Sequence, residues 1–208
     1  MNGPPPQLGR TLPHKLALVV VKPLAGTSVT PNQLTWARLI TGVVACLLFA
    51  SGERNLIIWG GWVWLLSAFL DQTDGELARL TGQVSAQGHR FDMLSDMIVT
   101  SLFFVGGGVG LRSTDLGIWA VAAGLIGGMA VLAAQYYAEK IDSLNDDPDD
   151  RAYSGFAGFD FDNILFLFAL VAWFDVFQFF VLAAAIGAPL FALLTFYKWK
   201  KIESCAKN

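Results

Sequence analysis

Between Asp71 and Met97 the chain reads DQTDGELARLTGQVSAQGHRFDMLSDM. Asp71 and Asp74 stand three residues apart, and Asp92 and Asp96 four apart, so on helices each pair shares one face. Two helices joined by a short turn near Gly82 run antiparallel and can bring those faces together. Four converging carboxylates do not all stay ionised without cations. Hard divalent ions with oxygen ligands suit such a set, Mg2+ or Mn2+ where the substrate carries phosphate. A pair of such ions about 3.5–4 Å apart clamps a phosphoryl group in transfer. Gly75, Ala78 and Gly88 leave their helix faces bare for a bulky ligand, and Arg79 offers a guanidinium fork for phosphate or pyrophosphate. Glu76 falls out of step with Asp71 and Asp74 and reads as solvated or as a salt-bridge partner. A charged turn between two helices is the bland alternative. It accounts for Glu76 and Arg90 but not for two face-matched aspartate pairs.

The elements that must carry these side chains are apolar. Of 208 residues, 54% are hydrophobic and 15% charged, with mean hydropathy +0.51. Soluble domains carry about 25% charged residues, so the composition argues against a soluble protein, and disorder is excluded by the hydrophobicity. Long unbroken apolar runs argue against a transmembrane β-barrel. The fold class expected is all-α: a polytopic membrane protein with six transmembrane helices and an N-terminal amphipathic surface helix. On a ruler of roughly 20 apolar residues per crossing, the spans are Gln33–Ser51, Asn55–Leu80, Ala86–Leu111, Leu116–Glu139, Asn163–Phe174 and Phe177–Tyr197. Asp175 leaves the fifth of these short. The amphipathic segment is Thr11–Leu24, where Lys15 and Lys22 alternate with Leu16, Leu18 and Val19 to Val21. Residues 1–30 are thus a tail and interfacial helix, 31–201 the six-helix domain and 202–208 a short tail. The first ten residues, with Pro4 to Pro6, lack the apolar core of a cleavable signal peptide.

Basic residues set the orientation. Eleven of the 14 Lys and Arg fall on the side that holds both termini, two (Arg54 and Arg112) on the other, and Arg38 lies within the first span. That bias places both termini, and with them the aspartates, in the cytoplasm. The net charge of −3 gives no reason to expect a nucleic-acid partner. Ionisable groups near a span cost about 2.5–3.5 kcal/mol each at the helix centre, and they mark function.

The spacing D-x2-D-G-x2-A-R-x8-G-x3-D-x3-D is filled by Asp71, Asp74, Gly75, Ala78, Arg79, Gly88, Asp92 and Asp96 without a departure. It resembles the signature of the CDP-alcohol phosphotransferases (CDP-alcohol phosphatidyltransferases), integral membrane enzymes of phospholipid synthesis. The resemblance extends in outline to the spans, the surface helix and the Thr30-Pro31-Asn32 opening of the first span. It implies that Asp71, Asp74 and Asp92 bind divalent metal, a pair of Mg2+ or Mn2+ ions, with Asp96 beside them. Asp96 is the implied general base toward the acceptor hydroxyl. Gly75, Ala78, Arg79 and Gly88 would line the CDP site, with Arg79 on the pyrophosphate. The implied partners are a CDP-linked lipid donor and a small alcohol acceptor. A homodimer is implied by resemblance alone. The short chain is more similar to bacterial members than to longer eukaryotic ones, which implies a bacterial inner-membrane location.

Other positions are less specified. Asn32 and Thr35 sit at the mouth of the first span, where Thr30 or Asn32 can cap the helix and Asn32 can equally contact nucleotide. Arg38, Arg90, Lys140, Arg151 and Lys198 are the cations available to an anionic acceptor such as glycerol phosphate or inositol phosphate, or they anchor the interface. Seven aspartates between Asp142 and Asp162 weigh against a strongly anionic acceptor unless Arg151 folds back. Phe156, Phe159 and Phe161 read as an interfacial anchor. Gly106 to Gly108, Gly110, Gly127 and Gly128 read as close helix packing. His14, His89, Cys46 and Cys205 form no ligand set. Two alternatives stay open: transfer from a soluble CDP-alcohol to a lipid hydroxyl, and a cation transporter using its intramembrane aspartates.

Overall fold

A computed structural model describes residues 12–144 and 164–206. Arg10, Arg151, Lys207, Phe156, Phe159, Phe161 and the loop aspartates from Asp146 onward lie outside the described residues, as do the His14 and Cys205 side chains. The described chain is helical: α1 (Leu12–Leu24), α2 (Pro31–Ala50), α3 (Arg54–Thr81), α4 (Ala86–Gly110), a 3-10 turn (Leu111–Ser113), α5 (Ile118–Asp142), α6 (Ile164–Trp173) and α7 (Phe177–Ala206). Four of these helices, α2, α4, α5 and α7, are long and apolar enough to cross a membrane. Six were expected. At 28 residues α3 is about 42 Å long, sufficient in reach, but its apolar run is diluted by Gly60, Gly61, four motif-side charges and several Trp. The ten described residues of α6 extend only about 15 Å.

Helix ends follow local chemistry. The Gln33 side chain accepts the Thr30 N–H at 3.0 Å, closing the start of α2 with Pro31 in its first turn. Thr30, not Asn32, is therefore the cap. α3 stops at Gly82, whose φ of +68° is the left-handed conformation that favours glycine. α4 restarts after Ser85, whose hydroxyl accepts the Gly88 N–H at 3.0 Å. The two basic residues counted against the orientation rule both close helix C-termini. Arg54 donates to the carbonyls of Ala172 and Trp173 at 2.5 and 2.6 Å, and Arg112 to those of Ala50 and Val109 at 2.7 and 2.9 Å.

α2 is the wedge of the bundle. It packs along both α3 and α4, which share no comparable direct contact, while α5 joins α4 to α7 and α6 lies on α3. Gly42 makes the wedge possible: a Cβ there would lie 2.5 Å from Val99 Cγ1 and 3.0 Å from Ser67 Oγ. Close approach recurs at Gly106, where a Cβ would meet the Cys46 carbonyl oxygen at 2.6 Å, and at Gly108, which faces the Gly124 Cα at 2.9 Å. These glycines are packing positions, as the sequence led us to expect. Beyond them an aromatic core fills the bundle end away from the aspartates. Phe103 stacks with Trp64 and Phe168 at 4.7 and 4.6 Å between centroids, and the Trp64 indole donates to the Leu165 carbonyl at 2.8 Å.

Candidate active site

The C-terminal turns of α3 and the N-terminal turns of α2 and α4 meet at one end of the bundle. Carboxylate oxygens of Asp71, Asp74 and Asp92 come within 4.8 Å of one another. Such a convergence of hard oxygen donors, two of them half-buried and Asp74 buried, fits a divalent cation of the Mg2+ or Mn2+ class. Asp96 does not belong to that trio. Its carboxylate pairs with Nη2 of Arg38.

The sequence reading had α3 and α4 bring their faces together directly; in the structure α2 brings them. Thr35 donates its hydroxyl to Asp74 Oδ2 at 2.7 Å. One turn later Arg38, only 1% exposed, forms an ion pair from Nε to Asp71 Oδ1 at 2.9 Å while Nη2 holds Asp96. Its own carbonyl accepts from Ser67 at 2.9 Å, and its Nη1 has no hydrogen-bond partner among the described residues. Arg38 was grouped with the acceptor-side cations; the structure puts its guanidinium beneath the carboxylates instead. The available signal was the Thr35–Arg38 spacing of three, the same helical step that picked out Asp71 and Asp74.

Beside the carboxylates opens a cavity of about 170 Å³ lined by Asn32, Thr35, Asp74, Gly75, Ala78, Arg79, Gly88 and Asp92, with Pro31, Gln83, Val84, Ser85 and His89 at its other walls. Every residue that the motif suggested for the nucleotide is on this surface. Glu76, fully buried, holds Arg79 Nη2 at 2.9 Å, which settles its role as a salt-bridge partner. The Arg79 guanidinium lies across Gly75, where a Cβ would approach it at 3.3 Å, and Asn32 Oδ1 stands 3.4 Å from the Cβ position of Gly88. Bare glycine surfaces on α3 and α4 thus let Arg79 and Asn32 face the same space.

A family model of CDP-alcohol phosphatidyltransferases matches residues 28–196. The chain belongs to that family. Among curated proteins, the archaetidylinositol phosphate synthase of Pyrococcus horikoshii (strain ATCC 700860 / DSM 12428 / JCM 9974 / NBRC 100139 / OT-3) is 44% identical over 80 residues, 37% of this chain and 39% of the relative. The match therefore spans well under half the length of that relative.

Within the CDP-alcohol phosphatidyltransferase bundle the remaining candidates separate. Lys140, near the end of α5, lies 5.6 Å from the Tyr136 ring centroid and is exposed. Arg151 is outside the described residues. His89, which the sequence gave no role, lines the cavity and meets Glu139 of α5 at 3.2 Å, tying the start of α4 to the end of α5. Nothing in its sequence neighbourhood announces a partner 50 residues away.

Proposed function

We propose that the protein transfers the phosphatidyl group of CDP-diacylglycerol to a small alcohol, releasing CMP. The observation that carries this reading is the three-carboxylate cluster forming one side of a cavity that Arg79 and Asn32 also line, with Asp96 held just outside the trio. Asp71, Asp74 and Asp92 hold a pair of Mg2+ or Mn2+ ions, which when bound neutralise the charge of a pyrophosphate. Arg79 binds the pyrophosphate as a fork, positioned by Glu76. Gly75, Ala78, Gly88 and Asn32 accommodate the CDP moiety. Asp96 takes the proton of the acceptor hydroxyl; the acceptor oxygen bonds to the β-phosphorus, the bond from that phosphorus to the CMP oxygen breaks, and CMP leaves with the electron pair.

Lys140 and Arg151 serve the acceptor side, for glycerol phosphate, inositol phosphate or a similar alcohol. The name of the Pyrococcus relative speaks for the inositol class. The chain crosses the membrane six times, with α3 and α6 completing the passes, α1 on the cytoplasmic surface and both termini in the cytoplasm; it works as a homodimer in the cytoplasmic membrane. The test is CMP release by purified protein with CDP-diacylglycerol, divalent metal and a panel of alcohols. CMP release dependent on one alcohol is expected. Release only from a soluble CDP-alcohol with diacylglycerol would reverse donor and acceptor, and metal-driven cation flux without CMP would make the protein a transporter. Asp96→Asn is expected to abolish turnover while CDP-diacylglycerol still binds.

A further inference from the structure

Arg38 is the most deeply buried cation among the described residues, and it touches two carboxylates that the proposed reaction uses differently. Its Nε faces Asp71, one of the three clustered oxygens, and its Nη2 faces Asp96, which stands apart from them. A planar guanidinium offers these donors at a fixed separation, which an ammonium does not reproduce. The backbone beneath it is fixed as well: Ser67 bonds the Arg38 carbonyl at 2.9 Å, and Gly42, one turn on, lets α2 sit against Val99 of α4.

We propose that Arg38 is a positioning residue that divides the four motif carboxylates by role, keeping Asp71 in the metal-binding trio and holding Asp96 out of it, aimed for proton transfer. Without the bridge, Asp96 has the same reach as its neighbours and the same affinity for a cation, and it is lost to the acceptor hydroxyl. The proposal rests on Asp96 being the base.

The test uses full-length protein in detergent with CDP-diacylglycerol, Mn2+ and the alcohol that supports the fastest CMP release. Arg38→Lys keeps the charge but not the bridge. Its kcat is expected to fall about 100-fold, the scale of a 1 Å misplacement, while the donor KM and the Mn2+ dissociation constant, read by electron paramagnetic resonance, stay within about threefold. Asp96→Glu supplies the second arm. If Arg38 acts through Asp96, the double variant is about as slow as the slower single variant. A multiplied loss in the double variant overturns the proposal, as does an Arg38→Lys kcat within threefold of the parent or a loss explained by weaker Mn2+ or donor binding. Helicity and the thermal transition of Arg38→Lys are expected to match the parent; their collapse would make Arg38 structural and also overturn it. Turnover retained by Asp96→Asn would instead remove the base assignment itself, so the two failures are distinguishable.

Discussion

At the scale of single residues the site is a set of acids held by neutral and cationic neighbours. Thr35→Val removes the 2.7 Å hydrogen bond to Asp74 and nothing else polar from the trio. Loss of such an outer partner costs roughly 10–100-fold in metal affinity, so the Mn2+ concentration for half-maximal activity should rise about tenfold, with kcat at saturating Mn2+ largely restored. Arg79→Lys replaces a fork by a point charge; donor KM should rise about tenfold, roughly 1.4 kcal/mol of binding, more than kcat falls. The aspartates were legible because charge inside an apolar run is conspicuous and helical spacing sorts it into faces. Thr35 and Arg38 were visible as residues but not as partners, since what pairs them with Asp74, Asp71 and Asp96 is tertiary packing of a third helix. His89 and Glu139 were hidden for the same reason, on elements whose proximity no local pattern states.

At the scale of elements, α2 decides whether α3 and α4 present one site or two unrelated faces. Gly42 and Gly82 separate the two things a glycine does here. At Gly42 the constraint is space, and at Gly82 it is backbone conformation, with nothing within 4 Å of a Cβ. Gly42→Val overpacks the wedge, at a cost of about 1–3 kcal/mol, and should lower the thermal transition in detergent and CMP release together. Gly82→Ala costs about 1–2 kcal/mol through its left-handed φ; it should lower the transition while activity below that temperature stays near the parent level. The sequence gave away the turn at Gly82 and the small-residue packing of α4, because both leave local marks. The importance of α2 between its neighbours leaves none, beyond one glycine in an otherwise ordinary apolar helix.

At the scale of the whole molecule, the outer faces are apolar: Trp36, Ile40 and Leu47 on α2, Met129 on α5, and Ile186, Leu190 and Leu194 on α7 are all exposed. That is the surface of a protein whose solvent is lipid. The proposed orientation makes a direct prediction. On a Cys205→Ser background, with Cys46 buried, Thr114→Cys in the turn before α5 should react with a membrane-impermeant maleimide in intact cells, and Lys201→Cys only after the membrane is opened; the reverse pattern would invert the topology. The placement of the chemistry along the chain has a further consequence. The four aspartates, Arg38 and the whole cavity lining fall between Pro31 and Asp96, so the ribosome has finished the reactive part of the protein before α5 begins to emerge. Residues from Ile118 onward arrive as a brace for a centre already written, and the turn at Thr114–Gly117 is the natural seam at which the gene could be cut into two messages and the halves joined again in the bilayer.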